Sequence, residues 1–442
     1  MTRSLFAGSL VMPGIISHLL AKDGTTAVVP NALAARTTHF PGRAKRVIFL
    51  YMTGGVSHIE SFDHKPEFIR RGKHGTLPRE ELVAPTWGFA PGGQCGTQVN
   101  DIFPHLRECA DDLCVIKSMI TDENDHFEAT LGLHTGSYTI KRPSMGSWIS
   151  YGLGTENQEL PSFVVLAKKQ AYGGSSLWSS DFLPGSHGGR RIKPGSEPVR
   201  YLNRRLESAE AQRTEFEFLQ SFNRLHQKGR EANSALSARI KSFETAYGMQ
   251  NRMPEILNVR GESDATLELY GLDRKQPDGF GWKCLVARRF AEHGVPFIEL
   301  IDDGNWDSHS RITDHEKLAR RVDRPIAGLL RDLKQRGMLD DTLVVWTTEF
   351  GRTPKGTGKG RSHHRYAFSS WLAGGGIKGG VTYGETDDFG ENIVRDPVHV
   401  HDLHATMLHL LGFDHEHLTF RHAGRDFRLT DVHGKVIRPI LA

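Results

Sequence analysis

The amino-acid sequence predicts an α/β protein built on a doubly wound, mostly parallel sheet with helices on both faces. Short apolar runs without strict alternation are typical of strands that are buried on both faces. These runs alternate with segments whose apolar residues recur every three or four positions, which is the pattern of amphipathic helices. Acidic residues and histidines follow several of the runs, at the carboxyl ends where open α/β sheets bind ligands.

Each predicted element follows from its local pattern. The predicted strands lie in AKRVIFLYMTGG (44–55), DDLCVIKSM (111–119), LPSFVVLA (160–167), VPFIELID (295–302), DTLVVWTTEF (341–350) and SSWLAGGG (369–376). The predicted helices lie in HFEATLGLHTG (126–136), CLVARRFAEHG (284–294), RRVDRPIAGLLRDLKQRG (320–337) and HDLHATMLHLLGF (401–413). Asp402 is the expected cap of the last helix. The alternation of strand and helix is what indicates a parallel sheet.

The chain is expected to form one large α/β core with a helical insertion, because 442 residues are too many for one simple core. An export-signal-like segment and linker takes residues 1–36, and the first part of the core takes 37–196. The helical insertion takes 197–260 and the second part of the core 261–442. Residues 197–260 are charged and have helical periodicity, so we expect helices that pack on the core with solvated faces.

Composition narrows the functional classes. A hydrophobic content of 38% and a mean hydropathy of −0.42 are typical of a soluble protein. The net charge is only +4, from 56 basic and 52 acidic residues, so there is no electrostatic reason to expect nucleic-acid binding. Four cysteines without a CxxC spacing support neither a zinc ribbon nor a disulfide scaffold, and are expected to be mostly buried thiols.

The amino terminus has the form of an export signal. Arg3 precedes an apolar run from Leu5 to Leu20 that is interrupted by Pro13 and His18. The run is short and broken for a membrane span, but it suits the apolar region of a signal peptide. An ordinary amphipathic helix is the alternative. The segment therefore predicts a periplasmic or extracellular protein without a membrane span.

Four stretches rich in acids and histidines are expected to converge at one edge of the sheet, because their strands end there. They are TGGVSHIESFDHKP (53–66) with Ser57, His58 and Asp63; DENDHFEATLGLHTG (122–136) with His126; DDGNWDSH (302–309) with Asp303, Asp307 and His309; and TTEFGRTPKGTGKGRSHH (347–364) with Glu349, Arg352, His363 and His364. The Gly54-Gly55 pair would let backbone N–H groups approach an anion.

The residue types in these stretches indicate metal-assisted chemistry on an anion. Mixed carboxylate and imidazole ligands suit zinc, manganese or iron. Arg352 adds a guanidinium fork for phosphate or sulfate oxygens, and His126 opens a helix whose positive dipole end favours an anion. Each stretch also has a simpler structural explanation, such as an aspartate that caps a helix or a surface histidine pair. Four such stretches at corresponding strand ends favour the functional interpretation.

Several long segments resemble one bacterial family, the domain-of-unknown-function 1501 family. They are VIFLYMTGGVSHIESFDHKP, RPSMGSWISYGLGTENQELPSFVVL, WTTEFGRTPKGTGKGRSHH, GGGIKGGVTYGETDD and HDLHATMLHLLGFDHEHLTFRHAGRDFRLTDVHG, and together they span nearly the whole chain. The resemblance implies an exported protein with the fold of the alkaline phosphatase and sulfatase superfamily. That superfamily hydrolyses phosphate and sulfate esters with bound metals.

The sequence departs from the superfamily's metal and nucleophile motifs. The segment that ends at strand 341–350 is similar to a sulfatase segment ending in Ser-Asp-His-Gly, but Glu349 stands in place of the Asp and Phe350 in place of the His. Phenylalanine cannot bind a metal. The nucleophile's position, nine residues before Thr135, is held by His126. The acid that would follow the first strand is missing, and Ser362 replaces an acid of the narrower family.

The resemblance therefore implies one divalent metal ion (zinc, manganese or iron) rather than two. The candidate metal ligands are Asp303, Asp307, His309, Glu349 and His363. His126 and Arg352 are the candidate catalytic residues, with His126 as nucleophile or as general acid or base. Ser57, His58, Arg352 and His364 are the candidates for substrate binding.

Three functions fit these observations. The first is an exported metal-dependent hydrolase of phosphate or sulfate esters, acting on a sulfated or phosphorylated polysaccharide. The second is a non-catalytic member of the superfamily that binds an anionic glycan or a cell-envelope partner. The third is a protein whose histidines only hydrogen-bond its loops. Polar side chains at buried strand ends are costly unless they are paired or bound to a metal, which favours the hydrolase.

Overall fold

The structure is a computed structural model, and it describes residues 33–195, 197–199, 202, 208–230, 233–356 and 358–442. The predicted export signal, up to residue 32, lies outside the described residues. Among the residues that are described, no helix is both long and apolar enough to cross a membrane. All four cysteines fall within the described part of the chain and are free thiols.

A nine-stranded sheet forms the centre of the protein. Its strands are β1 (Arg46–Tyr51), β4 (Leu113–Ile120), β5 (Phe163–Leu166), β6 (Arg190–Ile192), β7 (Phe297–Ile301), β8 (Thr342–Thr347), β11 (Phe368–Ala373), β12 (Val381–Tyr383) and β15 (Val398–His399). The order is β12-β4-β11-β8-β1-β7-β5-β6, and β15 also pairs with β4. All pairings are parallel except those of β11, which runs antiparallel to β4 and β8.

Short two-stranded sheets lie outside the central sheet. They are formed by β2 (Phe89–Gly92) with β3 (Thr97–Asn100), β9 (Gly351–Arg352) with β10 (His363–His364), β13 (Glu385–Thr386) with β14 (Ile393–Arg395), and β16 (Phe420–His422) with β17 (Arg425–Phe427). The β9–β10 pair closes the glycine-rich loop and sets Arg352 opposite His363.

Helices cover both faces of the sheet. The α-helices are α1 (Pro66–His74), α2 (Pro104–Arg107), α3 (His126–Thr135), α4 (Met145–Leu153), α5 (Ala209–Gln227), α6 (Ser234–Leu257), α7 (Asp264–Leu269), α8 (Gly279–Glu292), α9 (Asp314–Gln335) and α10 (Val400–Leu410). Core residues of α8 and α9 belong to one hydrophobic cluster, and those of α4 and α10 belong to a second.

Strand β1 shows why the sheet is buried on both faces. Ile48 and Leu50 pack into the first cluster, whereas Val47, Phe49 and Tyr51 pack into the second. Alternate side chains of a strand point to opposite faces, so a strand with helices on both sides must be apolar throughout. The fold class predicted from the sequence, a doubly wound and mostly parallel sheet, is confirmed.

Two details differ from or extend the sequence-based expectations. The predicted helical segment 197–260 contains α5 and α6, and the division of the chain into parts stays a prediction. Asp402 is not the N-cap of α10: the cap is His399, whose Nδ1 accepts the N–H of His401 at 3.2 Å. Asp402 forms the other half of a capping box, because its carboxylate accepts the N–H of His399 at 2.9 Å.

Candidate metal centre

The candidate site lies at the carboxyl edge of the central sheet. Strands β4, β8, β1 and β7 run in the same direction, so the segments that follow them meet at one edge. His126 starts α3 after β4, Glu349 follows β8, and Asp307 follows β7. His363 comes from β10, which the β9–β10 pairing folds back over the same edge.

His126, Asp307 and His363 form the cluster that could hold a metal ion. Within the described part of the chain, these are the residues whose ligand atoms converge, all lying within 4.8 Å of one another. The Nε2 atoms of His126 and His363 each lie 3.4 Å from a carboxylate oxygen of Asp307. His309, whose side chain is half exposed, brings its Nε2 to 2.9 Å from both Asp307 and His363.

Hydrogen bonds on the far side of the rings orient two of these histidines. The Nδ1 of His126 lies 2.7 Å from a carboxylate oxygen of Glu349, and the Nδ1 of His363 lies 2.6 Å from the carbonyl oxygen of Asn124. Both partners are acceptors, so both Nδ1 atoms carry a proton, and the Nε2 atoms are the ring nitrogens that face the cluster and could bind a metal ion. A metal-binding histidine characteristically donates its other ring N–H in this way.

Glu349 is fully buried and its oxygens are fully engaged by protein donors. The N–H of Gly54 reaches both oxygens, at 2.8 and 3.1 Å. The hydroxyls of Tyr51 and Thr348 donate to the second oxygen at 3.1 and 3.0 Å. With His126 as a further donor, Glu349 acts as the residue that positions His126. The sequence predicts Glu349 as a direct metal ligand, and that role stays a prediction.

Arg352 fixes the orientation of Asp307. Its guanidinium is fully buried and donates to Asp307 at 2.6 Å, to the carbonyl of Gly55 at 2.8 Å and to that of Arg361 at 3.3 Å. It also donates to the carbonyl of Gly54. Most donors of this guanidinium are thus committed to the protein, and the Asp307 carboxylate is presented to the cluster in a fixed position.

The charges of the cluster are strongly coupled. Burial alone would lower the pKa of His126, but Asp307 and Glu349 outweigh this effect and raise it to about 9. Burial would raise the pKa of Asp307, yet hydrogen bonds to the two histidines and the charge of Arg352 hold it well below its usual range. The pKa of Glu349 is lowered by His126 against the effect of its burial. Both carboxylates are therefore ionised, and protonated His126 and Arg352 balance their charges; a metal ion bound at His126 would displace the proton on its Nε2.

The Gly54-Gly55 pair serves close packing around the site. Both glycines have positive φ angles, and a Cβ at Gly54 would come within 2.3 Å of the side-chain oxygen of Asn305. A Cβ at Gly55 would come within 2.7 Å of the ring of Phe350. That ring stacks on His363 with centroids 4.5 Å apart. The anion that this glycine turn approaches is the protein's own Glu349.

Asp303, a predicted metal ligand, lies apart from the cluster. Its carboxylate accepts from the buried ammonium group of Lys283 at 2.6 Å. It also accepts the backbone N–H groups of Lys168 and Lys169, both at 3.1 Å. The structure therefore places this aspartate in an ion pair with α8 rather than with the histidines.

The predicted substrate-binding residues Ser57, His58 and His364 also lie outside the cluster, and all three are buried. Ser57 donates its hydroxyl to Glu60. His58 and His364 each hydrogen-bond a backbone carbonyl of residues 390–391, at 2.8 and 2.9 Å. These side chains hold loops together in this structure. Their contact with a substrate stays a prediction.

Tyr172 is a site residue that the sequence did not reveal. Its ring stacks on His126 with centroids 4.4 Å apart and an angle of 11° between the rings. It also lines a cleft of about 270 Å³, together with Thr53, Lys169 and Asn305. Tyr172 follows β5. A polar aromatic residue just beyond the end of a predicted strand is the feature of the sequence that could have identified it as a site residue.

The cluster fits a divalent metal ion. The Nε2 of His126 is buried and its contact with Asp307, at 3.4 Å, is long for a hydrogen bond, so a ligand at this atom would satisfy it better. Two imidazoles and a carboxylate, with a third imidazole at the exposed side, are ligands that zinc, manganese and iron accept in proteins. His126, Asp307 and His363 would hold the ion, with His309 beside them.

The fold and the site together define a class: a mostly parallel α/β protein with a candidate metal centre at its strand ends. Within that class the chain belongs to the family described as "Protein of unknown function (DUF1501)", which matches residues 44–441. The resemblance found in the sequence is thereby confirmed. No curated protein matches the chain.

Solved structures similar to this chain include several enzymes at low identity. The PsFucS1 sulfatase from Pseudoalteromonas sp. is 13% identical, with 92% of this chain and 72% of that chain covered and a TM-score of 0.37. The phosphonate monoester hydrolase SpPMH from Silicibacter pomeroyi is 12% identical, with 90% and 76% covered and a TM-score of 0.38. The lipoteichoic acid synthase LtaP from Listeria monocytogenes is 8% identical, with 91% and 79% covered and a TM-score of 0.39. At these scores no activity is transferred to this chain.

Proposed function

We propose that the protein is an exported, single-metal hydrolase of phosphate or sulfate esters, acting on an anionic glycan. The observation that carries the proposal is the convergence of His126, Asp307 and His363, with two of the rings oriented from behind by acceptors. A bound divalent ion would supply Lewis-acid polarisation of an ester oxygen. Export is proposed from the form of residues 1–36 alone.

The chain's own residues would prepare the site for an ester. Glu349 fixes the tautomer and the direction of His126, and Arg352 fixes Asp307, so little reorganisation is needed when a ligand binds. Tyr172 covers one face of His126 and borders the adjoining cleft, which would receive the alcohol part of the ester. His126 is held between two carboxylates, so we assign attack on the ester to water rather than to this side chain.

The metal site is tested by elemental analysis of protein purified without a metal-affinity tag. We expect about one equivalent of zinc, manganese or iron, which is lost in His363→Gln and Asp307→Asn. His417→Gln, which changes an exposed histidine elsewhere, should keep the ion. A wild-type protein that binds no divalent ion, even after reconstitution, would contradict the proposal.

The hydrolase activity is tested separately with the metal-loaded protein. Aryl phosphate, aryl sulfate and sulfated oligosaccharide esters should be screened, and turnover should disappear in Asp307→Asn. A metal-loaded wild-type protein that cleaves none of these esters would favour the second candidate function, a non-catalytic protein that binds an anionic glycan. The stacking of Phe350 on His363 is the observation that favours this second candidate, because the ring occupies space beside the ligand atoms.

A further inference from the structure

A second polar cleft lies at the same edge of the sheet as the candidate metal centre. It has a volume of about 470 Å³ and is bordered by Asp122, His399, His401, Asp402, His433 and Lys435. His399 ends β15, which pairs in parallel with β4. The segment 121–125, which links β4 to α3, borders this cleft at Asp122 and leads directly to His126 on the other side.

Three imidazole rings stack in a column along this cleft. The ring of His401 lies between those of His399 and His433, at centroid distances of 5.0 and 5.1 Å and with angles of 20° and 27° between rings. His401 is 3% exposed, and its Nδ1 has no hydrogen-bond partner among the described residues. A buried polar atom without a partner is costly and marks a place where a ligand or water is expected.

The carboxylates of the cleft are already engaged, whereas several donors are not. Asp402 accepts the N–H groups of His399 at 2.9 Å and Lys435 at 2.7 Å. Asp122 lies 3.3 Å from the Nε2 of His399. The exposed side chains of His433 and Lys435 make no hydrogen bond or ion pair within the described residues. The groups left for a ligand are therefore the ammonium group of Lys435 and the exposed imidazole of His433.

The surroundings of His401 disfavour a further positive charge. Burial, followed by the charges that His404, His399, His433 and Arg142 carry or would carry, lowers the pKa of His401 to about 2. The three rings also lack the convergence of ligand atoms found in the metal cluster. His401 is therefore neutral at neutral pH, so the positive charge that the cleft offers an anion is that of Lys435. A metal cation would require the rings to turn.

We propose that this cleft binds an oxyanion, namely a sulfate, phosphate or carboxylate group, through Lys435 and His433, beside the buried ring of His401. One loop separates the cleft from the candidate metal centre, so an extended anionic ligand could occupy both. Use of the cleft as a substrate subsite rests on the proposed function, but oxyanion binding by the cleft does not.

Calorimetric titration with sodium sulfate, sodium phosphate and a sulfated hexasaccharide tests this proposal. We expect binding to the wild-type protein that weakens about tenfold or more in the double variant His433→Gln, Lys435→Gln. Both side chains are exposed, so this variant should fold normally. The matched control, His417→Gln with Lys73→Gln, removes an exposed histidine and an exposed lysine elsewhere and should bind like the wild type.

Every outcome of these titrations either supports or overturns oxyanion binding by the cleft. Loss of binding of the salts and the hexasaccharide in the cleft variant supports an oxyanion site, and tighter binding of the hexasaccharide than of free sulfate identifies a glycan-borne group as its source. Absence of binding to the wild type, or equal binding by the cleft variant, overturns the proposal. Zinc binding by the wild type that is lost in the cleft variant also overturns the proposal, because it would show that the cleft holds a metal ion instead. An Asp307→Asn protein should keep oxyanion binding, which separates this result from failure of the proposed hydrolase.

Discussion

Glu349 is a buried carboxylate whose oxygens are occupied by donors of the protein itself. Its two oxygens already receive N–H or O–H groups from Gly54, Tyr51, Thr348 and His126. A carboxylate with this many donors stays ionised in the protein interior. Its charge keeps a proton of His126 on Nδ1, so Nε2 is the nitrogen that faces Asp307 and would bind a metal ion after losing its own proton.

We therefore predict that Glu349→Gln weakens metal binding by about 10- to 100-fold, as expected for loss of a residue that orients a ligand. The amide retains the size of the side chain but cannot accept from all four donors. Calorimetric titration of the metal-free protein with zinc measures the effect. Removal of all binding, as in Asp307→Asn, would instead identify Glu349 as a direct ligand, as the sequence predicted.

We predict that buried His187, which lies outside the metal cluster, makes the stability of the protein depend on pH. The side chain is fully buried beside the hydroxyl of Ser150, and its burial, with the charge of Arg36 as a smaller cause, lowers its pKa to about 4. The unfolded chain binds a proton at this histidine near pH 6.5, before the folded protein does. The stabilisation is therefore complete above about pH 6.5 and is lost as the pH falls towards 4.

The comparison of wild type with His187→Gln isolates this contribution. Between about pH 7 and pH 4 the wild type should lose up to about 3 kcal/mol more of its free energy of unfolding than the variant, since one unit of pKa shift corresponds to about 1.4 kcal/mol. Urea denaturation at a series of pH values measures the difference. Parallel curves for the two proteins would show that His187 is not the titrating group.

At the scale of elements, a buried ion pair secures the β9–β10 hairpin that delivers His363. The guanidinium of Arg361 donates to Glu60 at 2.6 Å, and both side chains are fully buried. Arg361 also donates to the carbonyl of Pro354 at 2.8 Å, which closes the glycine-rich loop. The hairpin therefore depends on a contact with the segment after β1.

Removal of one partner of this pair should cost more than removal of both. We predict that Arg361→Met destabilises the protein by about 3–5 kcal/mol, because it leaves the Glu60 carboxylate buried without a counter-charge. The double variant Arg361→Met, Glu60→Met should recover much of that loss. Guanidinium denaturation of the three proteins gives the comparison, and a double variant less stable than Arg361→Met would contradict this account.

The elements could be predicted from the sequence because each depends on its own residues. A run such as RVIFLY, apolar at successive positions, has few arrangements other than a strand buried on both faces. The direction of β11 was not accessible in this way, since its apolar run is compatible with either direction. The cap of α10 was also misassigned, because both His399 and Asp402 can accept a backbone N–H at a helix start.

At the scale of the whole molecule, the edge of the sheet at which these residues meet could be predicted, but the contacts that each of them makes could not. His126 and Glu349 are 223 positions apart, and their hydrogen bond exists because β4 and β8 end at the same edge. Asp303 was a reasonable ligand by its position, but Lys283 of α8 engages it. Which acid meets a lysine and which meets a histidine is decided by packing between distant segments.

The ligands of the proposed ion come from segments after β4, β7 and β8, so the ion would join parts of the chain far apart in sequence. An ion that binds the folded state alone stabilises it by about 2.7 kcal/mol at 100 times its dissociation constant. For a chain of this size we expect the midpoint of thermal unfolding to rise by about 1–3 °C when zinc is restored to metal-free protein. Asp307→Asn should show no such rise in scanning calorimetry, because it removes the carboxylate that both histidines face. An equal rise in that variant would place the stabilising ion elsewhere in the molecule.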